Sequence, residues 1–411
     1  MSADWIEVTL DDVCSKITDG AHHSPKPVDD GLPMASVKDM TPFGLNLDSS
    51  RQISVEDYDK LVKQGCQPLE DDVLIAKDGN SALDTVCRMR KTEVVVLLSS
   101  VAILRPDKEV IYPDYLRLYL DAEPTRNYLK ASSISGAAIP RVILKDFKRA
   151  KIRLPKGITE QKSIAGRVAN YDNLIENNNR RIAILEDMAQ SLYRKWFVKF
   201  RFPGHENVKF KDSPLGQIPE GWGIKAATDV IEFAPKMSLP KDGEKPFVAM
   251  PSISTSSMII GDIEMRAGNS GTKFVNGDTL MARITPCLQN GKIGFVQFLD
   301  EENPIGFGST EFIVMRSKHL TPEFVYCLAR SDSFRGNAIN SMAGADGRQR
   351  VKNDCFNSYY LAGPPNDILG DFSALAKPVF KEVFVLNQKN KNLKKQRDML
   401  LPKLIAGKIK V

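Results

Sequence analysis

The chain has 411 residues, 42% hydrophobic and 26% charged, with a formal net charge of +6. That length exceeds what one hydrophobic core usually holds, so two or more domains are expected. No run approaches the roughly 18 apolar residues of a membrane span, and Met1-Ser2-Ala3-Asp4-Trp5 has no basic or apolar leader, so a cytoplasmic protein without a membrane partner is expected.

Cys14, Cys66, Cys87, Cys287, Cys327 and Cys355 form no C-x-x-C pair. In a cytoplasmic chain they read as scattered reduced thiols. The positive charge permits a nucleic-acid partner without requiring one.

Taken in order, Val73-Leu-Ile-Ala76, Glu93 to Leu98 and Val101-Ala-Ile-Leu104 are apolar runs bounded by turn residues and predict strands. Pro113 opens a short helical pattern, because proline is tolerated at a helix start. From Ile164 the pattern changes period. Ile164, Val168, Tyr171, Ile175, Asn178, Ile182, Leu185, Ala189, Leu192 and Trp196 alternate steps of four and three, the a/d seam of a coiled coil with one polar slot. Strand signals return at Thr279-Leu-Met-Ala282, Lys292 to Phe298 and Phe312-Ile-Val-Met315, and Pro322 opens another short helix. Gly363-Pro-Pro-Asn366 reads as a linker, with Asn366 or Asp367 as N-cap. Leu375, Val379, Val383, Leu386, Leu393, Leu400 and Leu404 then form a second stripe, interrupted by Asn390 and Arg397, and Pro402 is expected to kink or end it.

The second half repeats the first. Trp222 follows Trp5 as an opening residue, and Leu69 to Lys77 matches Val275 to Arg283: a turn acid, an apolar run, then a cation. Ser99 to Leu104 matches Ser309 to Val314, and Tyr112 to Leu116 matches Thr321 to Val325. Arg141-Val142 and Phe147 match Arg350-Val351 and Phe356, and Asp187-Met188 matches Asp398-Met399. Six matches in one order at a near-constant offset indicate duplication.

The expected fold is therefore α+β: two similar α/β recognition domains separated by two long antiparallel coiled-coil helices, an internal repeat with pseudo-two-fold symmetry. Residues 1–155 form the first domain, 156–201 the central helix, 202–365 the second domain with its linker, and 366–411 the C-terminal helix. Helices of ~40 residues span about 60 Å, and half-sites on one face of a duplex lie roughly 34 Å apart. Ile164, Val168, Ile175, Asn178, Ile182, Leu185, Leu192, Trp196, Leu386, Leu393, Leu400 and Leu404 are the expected helix and subunit interface. The bland reading of each stripe is packing on a local core.

Enzymatic motifs are missing. A methyltransferase needs a Gly-rich cofactor turn and a polar Pro-Pro-aromatic loop, but Gly363-Pro-Pro-Asn366 has the wrong ends, and Gly306-Phe-Gly308 precedes a strand. There is no P-loop. Pro106-Asp107 and Pro113-Asp114 lack a following acid-x-Lys. His22-His23 has no metal-spaced Cys or acid beside it, and His205 and His319 are isolated. No catalytic, cofactor or metal residue is assigned.

Two loops recur in both halves. One follows the buried strand: Lys77-Asp-Gly-Asn-Ser81 and Arg283-Ile-Thr-Pro-Cys-Leu-Gln-Asn-Gly-Lys292. The other is Ser132 to Arg141, matched by Met342 to Arg350. Arg and Lys suit guanine edges, Asn and Gln suit adenine edges, and hydroxyls suit phosphates. The candidates are Lys77, Asn80, Ser81, Ser133, Ser135 and Arg141 in the first half. In the second they are Arg283, Thr285, Gln289, Asn290, Lys292, Arg348, Gln349 and Arg350. Solvated turns have a similar composition; recurrence at matched positions favours function. Lys38, Arg51 and Arg266 are weaker candidates. Trp5 and Trp222 read as packing residues.

Ser213-Pro-Leu-Gly-Gln-Ile-Pro-Glu-Gly-Trp222 resembles the segment opening the second recognition domain of type I restriction–modification specificity subunits. Leu192-Tyr-Arg-Lys-Trp-Phe-Val-Lys-Phe-Arg-Phe-Pro-Gly-His205 looks like the end of that family's central conserved helix, and Leu400-Leu-Pro-Lys-Leu-Ile-Ala-Gly-Lys-Ile409 like its C-terminal segment. The first copy lacks the Ile-Pro-Glu-Gly lead. The resemblance implies a non-catalytic subunit that reads a split, asymmetric double-stranded DNA target. It implies docking of two methyltransferase subunits carrying S-adenosylmethionine, and restriction subunits using ATP and Mg²⁺. The competing readings are a standalone duplicated DNA-binding regulator and a self-contained enzyme.

Overall fold

The computed structural model describes residues 4–79, 81–135, 140–345 and 347–409. The chain forms two compact units. The first combines Met1–Glu176 with Lys391–Val411, and the second is Asn177–Asn390.

In the first unit, Val73–Ala76 lies inside a four-stranded antiparallel sheet, ordered Cys14–Asp19, Val101–Pro106, Val73–Ala76, Val86–Arg88. All four residues of Val73–Ala76 are buried, which is why the run shows no alternation: both faces of the sheet are covered. A second sheet runs Arg51–Ile53, Leu32–Ala35, Val96–Leu97. Trp5–Thr9 pairs with Lys151–Pro155, joining the start of the domain to its end.

The second unit repeats this plan. Its central sheet is ordered Ile231–Phe233, Phe312–Ser317, Thr279–Ala282, Ile293–Phe295, and Gly223–Ala226 pairs with Tyr360–Gly363. Pro113–Asp121 and Pro322–Arg330 are the matching helices, each with proline at its first turn. The units differ beside the second sheet. Where the first has the helix Val55–Lys63, the second has the strand Thr272–Phe274, extending a sheet ordered Ile263–Ala267, Glu244–Val248, Gly306–Gly308, Thr272–Phe274. The predicted strands at Glu93–Leu98 and Lys292–Phe298 shorten to Val96–Leu97 and Ile293–Phe295.

One ion pair is duplicated with the fold. Asp72, just before Val73, accepts from Arg105 Nε and Nη2 at 2.8 Å each, and from the Leu69 amide at 2.8 Å. Asp278, just before Thr279, accepts from Arg316 at 2.8 and 2.6 Å and from the Val275 amide at 2.8 Å. Both carboxylates are fully enclosed, so each needs these donors.

The long helices are Ile158–Tyr193, continued by a π-turn at Arg194–Val198, and Asn366–Ile405. Each unit holds part of both. In the first unit Ile164 and Val168 share a core with Leu401, Leu404 and Ile405, and Leu400 packs against it. Further along, Asp172 accepts from Arg397 at 2.9 Å. In the second unit Ile182, Ala189, Tyr193 and Trp196 share a core with Phe372, Ala376, Phe380, Val383 and Leu386, and Leu185 and Leu192 pack against it. Asn178 donates to Asn390 at 2.8 Å, and Asn390 donates to Asn179 at 2.9 Å. As residue numbers rise on one helix they fall on the other, so the packing is antiparallel. Ile175 is buried and Leu393 half-buried.

Two expectations are corrected. Leu375 is 52% exposed, and Phe372 and Ala376 carry the seam in its place. The helix also passes through Pro402 to Ile405. Proline costs an internal helix about 3 kcal/mol, but here burial of Leu401, Leu404 and Ile405 holds the last turn. The chain then turns at Gly407, φ +68°, where a Cβ would meet the Trp5 ring at 2.9 Å. Trp222 is buried and stacks on Phe202 at 5.4 Å, a packing role.

Removing one partner of a buried pair strands the other charge. The arginines are 30% and 27% exposed, so solvent screening trims the cost. Arg105→Ala and Arg316→Ala should each destabilise by about 3 kcal/mol, read by urea unfolding. A loss below about 1 kcal/mol would class the pairs with ordinary surface bridges.

Candidate nucleic-acid interface

In both units the central strand delivers a cation to the sheet edge, and the second recurring loop returns to meet it. In the first unit Val142 N donates to Lys77 O at 2.9 Å, and Gly79 N donates to Pro140 O at 2.9 Å. In the second, Val351 N donates to Arg283 O at 2.8 Å, and Thr285 N donates to Gln349 O at 3.0 Å. The loops matched in sequence are therefore paired in space, at the same place in each unit.

The side chains differ. Lys77 is buried, and its Nζ lies 2.6 Å from Asp19 Oδ2. Arg141 is 65% exposed and reaches Asp78 at 3.1 Å. Ser81 and Ser135 are exposed, Ser133 is buried, and Asn80 lies outside the described residues. In the second unit Arg283 Nη2 donates to Val351 O at 2.9 Å, while its buried Nε has no partner. Arg350 grips Glu311 through Nε and Nη2, the latter at 2.7 Å. Thr285 Oγ1 accepts from the Gln349 amide at 3.1 Å. Gln289, Asn290 and Arg348 are exposed, and Lys292 Nζ donates to Met250 O at 2.9 Å.

Sequence reasoning passed over the partners of these groups. Asp19 and Glu311 reach the loops only through strand pairing with distant segments, which leaves no local signal. Arg330 and Arg335 were missed too. They donate to Gly291 O at 3.0 Å and Gln289 O at 3.2 Å, buttressing the 283–292 loop from the helices behind it. The weaker candidates are engaged locally. Arg51 bonds Ser24, and Arg266 lies 4.1 Å over the Phe247 ring while pairing with Glu264. Lys38 is the exception and is exposed.

All six cysteines are free; burial pushes the Cys14 and Cys87 thiols up to about 12. Among the described residues no group of three or more His, Cys, Asp or Glu is placed to hold a metal ion. No helix among them is long and apolar enough to cross a membrane.

Two units of one plan, each presenting a loop pair of its own chemistry, make a duplicated two-domain protein. Comparison with known proteins says which kind. Residues 2–187 match the family described as "Type I restriction modification DNA specificity domain". The chain is 26% identical over 319 residues to the type I restriction enzyme MjaIX specificity subunit of Methanocaldococcus jannaschii, covering 74% of this chain and 71% of the relative. It is 23% identical to the MjaVIII specificity subunit of the same organism, covering 83% and 80%. Its fold is similar to the crystal structure of a type I system S subunit from M. genitalium, with a TM-score of 0.53 and 14% identity over 98% of this chain and 96% of that one. The chain is thus similar along most of its length to specificity subunits of type I restriction–modification systems, and residues 2–187 match their DNA specificity domain.

The Arg350–Glu311 grip ties the second loop pair to acid conditions. The Arg350 hydrogen bonds hold the Glu311 carboxyl below its usual 4.5, against a smaller upward push from burial. A depressed carboxyl stabilises the fold above its unfolded pKa, and that contribution disappears as pH falls through the lower folded value. Hydrogen-exchange protection at the Ala343 and Val351 amides should fall in that acid window, and Glu311→Gln should abolish the pH dependence.

Proposed function

We propose that each unit reads one half of a split, asymmetric DNA target through its own loop pair. The observation that carries this reading is the meeting of the recurring loops at one sheet edge in both units, with different donors and acceptors. A shared scaffold with different side chains selects different bases. On this reading Lys77, Asn80, Ser81, Ser133, Ser135 and Arg141 serve one half-site. Arg283, Thr285, Gln289, Asn290, Lys292, Arg348, Gln349 and Arg350 serve the other.

The long helices serve as spacer and docking surface for two methyltransferase subunits, which carry S-adenosylmethionine; restriction subunits using ATP and Mg²⁺ can join in the cytoplasm. The apolar residues left outside the seams support this. Leu174 and Met399 in the first unit are 54% and 60% exposed, as are Met188 and Ile184 in the second. Exposed apolar groups of this size on helices suit a protein partner.

The test is reconstitution with a type I methyltransferase subunit, followed by methylation-aware sequencing. Arg350→Ala should relax or weaken one half-site, a bidentate base contact being worth about 1–3 kcal/mol. If both halves relaxed together, independent reading would be wrong. Ile184→Asp should lower co-purification with the methyltransferase without lowering the melting temperature. Unchanged co-purification would move the docking surface elsewhere. Tight sequence-specific binding with no methyltransferase association would favour a standalone regulator.

A further inference from the structure

The two loop pairs share a backbone plan but not an electrostatic one. In the first unit both loop cations are neutralised on the spot: Lys77 by Asp19 and Arg141 by Asp78. Nearby, Lys130 is likewise paired, with Asp84 at 2.6 Å.

The strand register shows what replaces Asp19 in the second unit. Leu104 pairs with both Ile17 and Val73, and Met315 pairs with both Phe233 and Thr279. Ile17 thus corresponds to Phe233, and two residues on, Asp19 corresponds to Pro235. Arg283, the counterpart of Lys77, hydrogen-bonds no carboxylate, although its charge still reaches Glu311 nearby. It is held by a single bond to the Val351 carbonyl, with Nε buried and unpartnered.

The cations around it are also held by carbonyls. Lys292 bonds Met250 O, Arg330 bonds Gly291 O and Thr255 O, and Arg335 bonds Gln289 O. Arg335 Nε is likewise buried without a partner, and Arg348 is exposed. Glu311 is the one carboxylate, among the described residues, that any of these groups bonds, and Arg350 takes both its oxygens. Carbonyl anchoring fixes a guanidinium in place while leaving its full charge for an incoming anion.

We propose that the electrostatic hold on DNA is concentrated in the second unit, where Arg283 and Arg348 contact phosphates, whereas the first unit's loop pair meets its half-site with its charges already cancelled. This rests on the reading that the loop pairs face DNA. Each phosphate neutralised releases condensed counterions and steepens the salt dependence of binding by about 0.9 log units of affinity per log unit of salt. The second half-site would then dominate salt-sensitive capture, and the first would add selectivity with little salt dependence.

The experiment measures affinity against salt concentration for the full chain in its methyltransferase complex, on a duplex carrying the target found by methylation sequencing. Arg283→Gln with Arg348→Gln should flatten the log–log slope by about 2, and Arg141→Gln should leave it unchanged. Arg283→Lys, which keeps the charge but not the fork, should retain the slope, separating charge from local structure. Asp78→Asn frees Arg141 and should steepen the slope by about 0.9. Equal flattening by Arg141→Gln and Arg283→Gln would overturn the asymmetry while leaving the loops on DNA. Unchanged slopes in every arm would overturn both the asymmetry and the loop assignment.

Discussion

A carboxylate buried at the foot of the central strand is the constraint on which the rest of each unit depends. Asp72 and Asp278 each tie the turn before the strand to an arginine on the neighbouring strand. Neither carboxylate can leave the interior without its donors, so the strand has one starting point and one register against its neighbour. A slip of one residue would reverse which side chains face each side of the sheet. With the start fixed, four buried residues later the chain must emerge at Lys77 or Arg283. The position of the paired loops is thus set from the opposite end of the strand, by an ion pair outside the loops themselves.

This explains why some of the architecture was legible and some was not. The repeated pattern of acid, apolar run and cation is the ion pair, the buried strand and the loop root in order, so duplication could be read from it directly. The helix seam was readable because Val168, Ile175, Ile182, Ala189 and Trp196 recur every seventh residue and are all buried. Leu375 and Pro402 misled because hydropathy and backbone preference are local measures. Phe372 and Ala376 displace Leu375 from the seam, and buried leucines hold the helix past Pro402. The helix Val55–Lys63 went unread although Ser54 caps it by accepting from the Asp57 amide. The loop candidates were located by recurrence, but their charge state was not legible. Whether a cation is free depends on acids such as Asp19, which strand pairing brings in from far along the chain.

Duplication supplied a scaffold, and later divergence acted where the scaffold tolerates it. Asp72 and Asp278, Arg105 and Arg316, and the two buried strands keep their chemistry, because each change there strands a charge or opens a void. The connection beside the second sheet has diverged fully, from the helix Val55–Lys63 to the strand Thr272–Phe274. Ile53, buried in the first unit, is matched in register by Arg266, which lies over Phe247 in the second. The loop roots fall between these extremes: their backbone bonds are kept and their counter-ions exchanged.

The division of the chain between units also bears on its synthesis. The second unit is one continuous stretch, Asn177–Asn390, whereas the first takes its last helical turns from Lys391–Val411. Ile164 and Val168 therefore wait, with their apolar side uncovered, until Leu401, Leu404 and Ile405 leave the ribosome. The domain made first is finished last. During that interval the nascent chain carries a completed C-proximal domain and an open N-proximal core, the kind of exposed apolar surface that invites chaperones or misassembly. A ribosome stalling late in translation would release a chain whose second unit is intact and whose first cannot close.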